Sequence, residues 1–229
     1  MPCASCAATP SSPASLPVVD GRHGIDVEAA LSGIGGSSST RPGFGIGAGD
    51  DYAGATMTMT VESLYPRLEP LLAQVSKPVQ YIGGEVNSVS KDFAAAEVRW
   101  ALMYPDAYEV GQPNQGLAIL YELLNERDWM LAERTFSIWP DLAALMRSHG
   151  LPQFTLENHL PVRAFDVLGV SFSTELGYTN LLEAIDLAGI ALHAADRGED
   201  EPIVIAGGHA AFNPEPIADF IDAAVLGDG

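Results

Sequence analysis

The chain has 229 residues, room for one or two domains, and its 47% hydrophobic against 18% charged residues is the make-up of a globular protein rather than a solvated tail. Thirty acidic against eleven basic residues give a net charge of −19, which disfavours gripping a phosphate backbone by counterion release and repels anionic membranes. No run approaches the roughly 20 apolar residues of a membrane span, and the start, MPCASCAATPSSPASLP, lacks the basic and apolar regions of a secretory signal. Nucleic acid and membrane are therefore set aside as partners, and the cytoplasm is the expected compartment.

Residues 1–56 are dense in Gly, Ser, Pro and Ala and bury too little apolar surface to offset chain entropy, so a disordered extension is expected. Its C-x-x-C pair, Cys3 and Cys6, has no second ligand pair after it and reads as two unpaired thiols. The five histidines show no metal-binding spacing, and no metal site is expected. The glycines of residues 43–49 lack the preceding strand and following lysine of a phosphate loop.

Residues 57–93 read as a helical linker and a turn. Val61, Leu64, Leu68, Leu71, Leu72 and Val75 recur at helical spacing, but Pro66 and Pro70 interrupt them, which predicts a short or kinked helix. Tyr81-Ile82 then leads into the turn Gly83-Gly84.

From residue 94 to 229 strands and helices alternate. Residues 97–104 (EVRWALMY) form a buried strand stopped by Pro105-Asp106, and residues 117–127 a helix. Residues 129–136 are the next strand; Asp141 caps a helix over 142–149 that Gly150 and Pro152 end. Residues 153–156 add a short strand, 166–172 (DVLGVSF) a central one, and 177–195 an amphipathic helix. Residues 203–206 and 223–226 are buried strands that each stop on glycine, with an apolar helical turn over 217–221 between them. This alternation predicts an α/β fold with a doubly wound parallel sheet. The last strand ends on Gly227-Asp228-Gly229 with no polar tail, so a truncated reading frame with an uncovered strand edge is expected.

Three loops follow strands and converge on one rim of such a sheet. They carry Asp106-x-Tyr108-x-x-Gly111, then Ser171-x-Ser173, then Gly207-Gly208. The spacing resembles the cobalamin-binding pattern Asp-x-His-x-x-Gly, Ser-x-Leu, Gly-Gly. That resemblance implies a cobalamin-binding-like, flavodoxin-like domain, with Asp106, Tyr108, Gly111, Ser171, Ser173, Gly207 and Gly208 lining a cobalamin slot. Tyr108 stands where the family has its cobalt-ligating histidine, Ser173 replaces the leucine, and the first interval is longer. A phenol is a poor cobalt ligand, so no axial ligand is expected from this loop. Taken alone, Asp106 also reads as a turn cap, Tyr108 as a packing aromatic and the two serines as loop-satisfying groups.

The longer wording, YIGGE, YPDAYEVGQPNQGLAILYELLN, FDVLGVSFSTELGYTNLLEAIDLAGI and IVIAGGHAAFNPEPIADFIDAAVLGDG, is similar to the N-terminal part of a bacterial radical S-adenosylmethionine family over about residues 77 to 229. The resemblance implies a domain that places a cofactor or substrate over a C-terminal radical barrel, with S-adenosylmethionine and an iron–sulfur cluster bound in the full-length parent. The cluster loop C-x-x-x-C-x-x-C is not in this chain, so no catalysis is expected from it alone. The rivals are a non-catalytic interaction domain of the same fold that binds no cofactor, and a flavodoxin-like module for another nucleotide.

Overall fold

The computed structural model describes residues 18–20 and 61–227. Apolar runs that stop at proline or glycine become parallel strands, since such runs bury both faces and are joined by crossovers. They are β2 (Val98–Tyr104), β3 (Met130–Phe136), β4 (Val167–Ser171), β5 (Ile203–Gly207) and β6 (Ala223–Leu226), with β1 (Val18–Asp20) at one edge. All pairings are parallel, in the order β1-β6-β5-β4-β2-β3. Over β2 to β6 this is the flavodoxin-like order, and the doubly wound α/β fold is the one expected. The chain runs outward from β2 to β3 and then reverses to β4. That reversal makes a switch point between the carboxyl ends of β2 and β4, where the crossovers diverge and leave a crevice.

Of the extension expected to be disordered, Val18–Asp20 falls within the described residues and the rest outside them. Those three residues run beside β6, Val18 opposite Ala224 and Asp20 opposite Leu226. The β6 edge expected to stand uncovered is thus paired along its length.

Five α-helices are described: α1 (Tyr65–Leu72), α2 (Tyr108–Gly111), α3 (Gln115–Asn125), α4 (Pro140–His149) and α5 (Tyr178–Ala188). On one face of the sheet α3 sets Leu117 and Tyr121 against Leu102, Tyr104, Ala132 and Phe136. On the other, α5 sets Leu181, Ala184 and Ile185 against Ala101, Met103, Leu168, Val170, Val204 and Ala206. Each such leucine or isoleucine contributes about 1.5–3 kcal/mol by leaving water. Beside α5, α4 packs Leu142 and Met146 on Leu68, Leu71 and Leu72 of α1.

Three local expectations are corrected. Trp139, not Asp141, is the N-cap of α4; Pro140 takes the first position, where its missing N–H costs nothing. Asp141 instead accepts from Ser76 N at 2.8 Å, a bond that lowers its pKa. The helix expected over residues 177–195 ends at Ala188, because Gly189 adopts the left-handed conformation that closes a helix.

Residues 153–156 form no strand of the sheet but part of a cover over the free edge of β3. Phe154 and Pro161 make a lone antiparallel bridge, and Leu156 N donates to Arg134 O at 2.7 Å. Glu157 Oε2 accepts from Arg134 N, Gln153 Nε2 donates to Phe136 O, and Asn125 exchanges bonds with both Ala132 N and Ala132 O. Every residue of β3 is buried although the strand ends the sheet. Its outward backbone groups at residues 132 and 134, and the carbonyl of residue 136, are satisfied by this cover and by α3.

Candidate functional site

Parallel register brings the three expected loops to one rim. Met103 lies opposite Val170, and Ser171 opposite Gly207. α5 ties the rim together: Asn180 Nδ2 donates to Pro105 O at 2.9 Å. A Cβ on Gly177 would stand 2.8 Å from Pro105 Cγ, so only glycine lets the two loops approach this closely.

The rim residues differ in what they do. Asp106 is exposed, accepts from Ala107 N at 2.7 Å and, through its carbonyl, from Ser137 N at 2.9 Å. Tyr108 opens α2 and is half-buried, its ring edge-on to Phe136 at 5.6 Å and its hydroxyl donating to Glu85 Oε1 at 3.1 Å. Burial first, and the neighbouring Glu85 second, raise the pKa of its phenol. Ser171 is half-buried at the end of β4 and Ser173 is exposed.

The glycines show what fills the slot. A Cβ on Gly111 would meet the Phe136 ring at 2.5 Å, and one on Gly208 would meet Phe172 O at 2.4 Å. Gly208 also takes φ +89°, which other residues rarely adopt. Phe172 N donates to Gly207 O at 2.8 Å, Ala210 N donates to Phe172 O at 3.3 Å, and Tyr178 packs edge-on to Phe172 at 5.2 Å. At Gly207 itself a Cβ would meet nothing within 4 Å, so the close approach the glycine pair implies belongs to Gly208 alone. A cobalamin nucleotide tail needs such glycines to face open space. Here Phe136, Tyr104 and the Phe172 backbone occupy the positions facing Gly111 and Gly208, and the Tyr108 hydroxyl is held by Glu85. The donor set and the cradle do not fit cobalamin.

Beneath Tyr108 lies a buried charged cluster that the motifs do not announce. Arg134 Nε meets Glu157 Oε1 at 2.6 Å, Arg134 Nη2 reaches Glu85 Oε2 at 4.0 Å, and the guanidinium stacks 4.4 Å over Tyr121. Glu133, fully buried, accepts from Thr155 Oγ1 and Asn158 Nδ2 at 2.5 and 2.6 Å. Burial pushes Glu157 up to about 7 against the pull of Arg134, with Glu133 adding to the rise. Arg134, ringed by these carboxylates, is held in its charged form.

Beside the switch point, between the loops that follow β2 and β3 and the flank of α5, is a cavity of about 200 Å³. Of the expected residues only Asp106 lines it; Ser137, Trp139, Gln153, Asn180 and Glu183 supply the rest of its polar wall. These five were not found by motif spacing. The one signal in the sequence was position: Ser137 and Trp139 follow a strand, and Asn180 opens a helix, as rim residues do. Among the described residues no group of three or more His, Cys, Asp and Glu is placed to hold a metal, and no helix is long and apolar enough to cross a membrane.

Residues 116–229 match the family model described as radical SAM proteins, N-terminal. No curated protein matches the chain.

Proposed function

We propose that this domain, whose residues 116–229 match the family described as radical SAM proteins, N-terminal, positions a substrate at the rim cavity beside its switch point for a radical SAM barrel and holds no cobalamin of its own. The carrying observation is the filled cradle, in which Gly111 and Gly208 admit protein atoms where a cofactor tail would need room. In a radical SAM protein the bound S-adenosylmethionine and iron–sulfur cluster supply the radical. The two cysteines of this chain are one short of the three thiolates such a cluster uses. The chain's own part is therefore binding and orientation. The apolar packing of α5 and the Pro105–Asn180 tie hold the crevice walls at fixed separation, and a rigid wall is what fixes a substrate's attitude.

Gel filtration after incubation with hydroxocobalamin tests this. The expected result is that the red chromophore elutes free of the protein. Stoichiometric co-elution, retained on dilution, would overturn the reading in favour of a cobalamin-binding domain.

A further inference from the structure

Part of the sheet lacks a second layer among the described residues. Paired positions in a parallel sheet send their side chains to the same face, so Ile203 lies on the face of Trp100, and Gly169, Ile205 and Ala223 on the face of Leu102. This is the face that α3 covers over β2 and β3, where Trp100 borders its cluster and lays its ring over Gly169. Beyond that border Ile203, Ile205 and Val225 are half-buried and stand in none of the core clusters of the described residues. On the opposite face Val204, Ala206 and Ala224 are buried in the core that α5 builds. A parallel sheet carries helices on both faces, and three strands at about 4.8 Å spacing make a strip about 10 Å wide, the width of one helix.

The topology says which part of the chain crosses that strip. β1 ends at the carboxyl rim, Asp20 opposite Leu226. The next described residue, Val61, shares a hollow with Phe93 and Leu160, on segments that lead into β2 and β4. Residues 21–60 therefore return from the rim toward the amino ends of the strands. Travel from β1 to β2 runs in the same direction along the sheet as travel from β2 to β3, and right-handed crossovers in one direction share one face. That face is α3's. The connections from β3 to β4 and from β4 to β5 run the opposite way, and α4 and α5 lie together on the other face. Since α1, later in the β1–β2 connection, packs on α4, residues 21–60 are left to cover the bare strip. Within them Val27, Ala30, Leu31 and Ile34 stand at i, i+3, i+4 and i+7, with Asp26 before them as an N-cap and Gly35 after them as a stop. The Gly- and Ser-dense run that argues for disorder begins only at Gly35. We infer that residues 26–34 form a helix docked on this strip, with Leu31 and Ile34 packed on Ile203 and Ile205. A second copy as the cover would set two chains of charge −19 face to face.

Disulfide trapping in the full chain carrying Cys3→Ser and Cys6→Ser tests the contact. Leu31→Cys with Ile205→Cys is expected to close an intrachain disulfide under mild oxidation, read as a fast-migrating monomer on a non-reducing gel and as a linked 31–205 peptide by mass spectrometry. The control pairs Leu31→Cys with Asp186→Cys, exposed on α5 at the other face, and should close at least about tenfold more slowly. Equal trapping at both sites would overturn the inference. So would 31–205 disulfides found only between chains, which would make a second copy the cover. Leu31→Asp gives a reading that needs no disulfide: hydrogen exchange at β5 amides should quicken about tenfold or more, while β3, under its own cover, keeps its rates. Unchanged exchange in β5 would count against the docked helix as strongly; should Leu31→Asp unfold the chain and quicken β3 as well, the disulfide pair decides.

Discussion

Gly207 and Gly208 are adjacent and chemically identical, yet the fold asks different things of them. Gly208 combines φ +89° with a Cβ position 2.4 Å from Phe172 O, whereas a Cβ on Gly207 meets nothing within 4 Å. Gly208→Ala should lower stability by about 2–4 kcal/mol, from backbone strain and the forced parting of β4 and β5. Gly207→Ala should change it by less than about 1 kcal/mol, since only strand preference is involved. Urea denaturation of both variants measures the contrast; equal losses would mean the close approach is not where the structure puts it. The sequence shows that a glycine pair ends a strand, but not which member the neighbouring strand leans on, because that contact comes from residue 172 on another element. The same limit applies at Tyr108. Its position in a site-like motif is visible, but its hydroxyl partner, Glu85, lies 23 residues away and follows from packing alone.

At the scale of elements, strand positions were legible and strand edges were not. Alternating apolar runs and glycine stops mark β2 to β6 within a residue or two, because burial on both faces leaves that trace in composition. Met130–Phe136 carries Glu133, Arg134 and Thr135 inside a strand buried at every residue. Nothing in that run says it lies at the edge of the sheet under a cover of residues 153–161. Asn125 belongs to the same arrangement: its side chain accepts from Ala132 N at 3.1 Å and donates to Ala132 O at 3.0 Å. Asn125→Leu keeps the branched outline and strands two buried backbone groups, at a cost of about 2–4 kcal/mol. Leu120→Gln on the outward face of the same helix, where the side chain is exposed, should fall within about 0.5 kcal/mol of the parent. Thermal unfolding of the pair compares them directly. A small loss in Asn125→Leu would show that water reaches the β3 edge and that the cover is not closed.

The whole molecule carries two acidic burdens that act alike with pH and unlike with salt. One is the net charge of −19, whose self-repulsion opposes compaction and eases as carboxylates protonate. The other is Glu157, whose side chain is 2% exposed and which burial pushes from an ordinary 4.5 to about 7 in the folded state. Between those two values the folded chain binds this proton more readily than the unfolded chain does. Stability from this group is therefore fully present below about 4.5 and is lost as pH rises to 7. The difference of two to three pKa units corresponds to roughly 3 kcal/mol. The half-buried carboxylates Asp141 and Glu201 work the other way, since hydrogen bonds to backbone N–H groups lower their pKa values and their contribution is lost only under more acidic conditions. Unfolding free energy should thus be higher at pH 5.5 than at pH 8. Salt separates the two sources. Half-molar sodium chloride shortens the Debye length to about 4 Å and suppresses repulsion between surface charges, while a buried carboxyl beside Arg134 is screened far less. The pH dependence that survives in high salt belongs to the buried cluster, and Glu157→Gln should flatten it while leaving the salt-sensitive part in place. If high salt alone abolishes the dependence, or if Glu157→Gln keeps its full slope in salt, the carboxyl is ionised throughout and the ion pair with Arg134 outweighs the cost of burial.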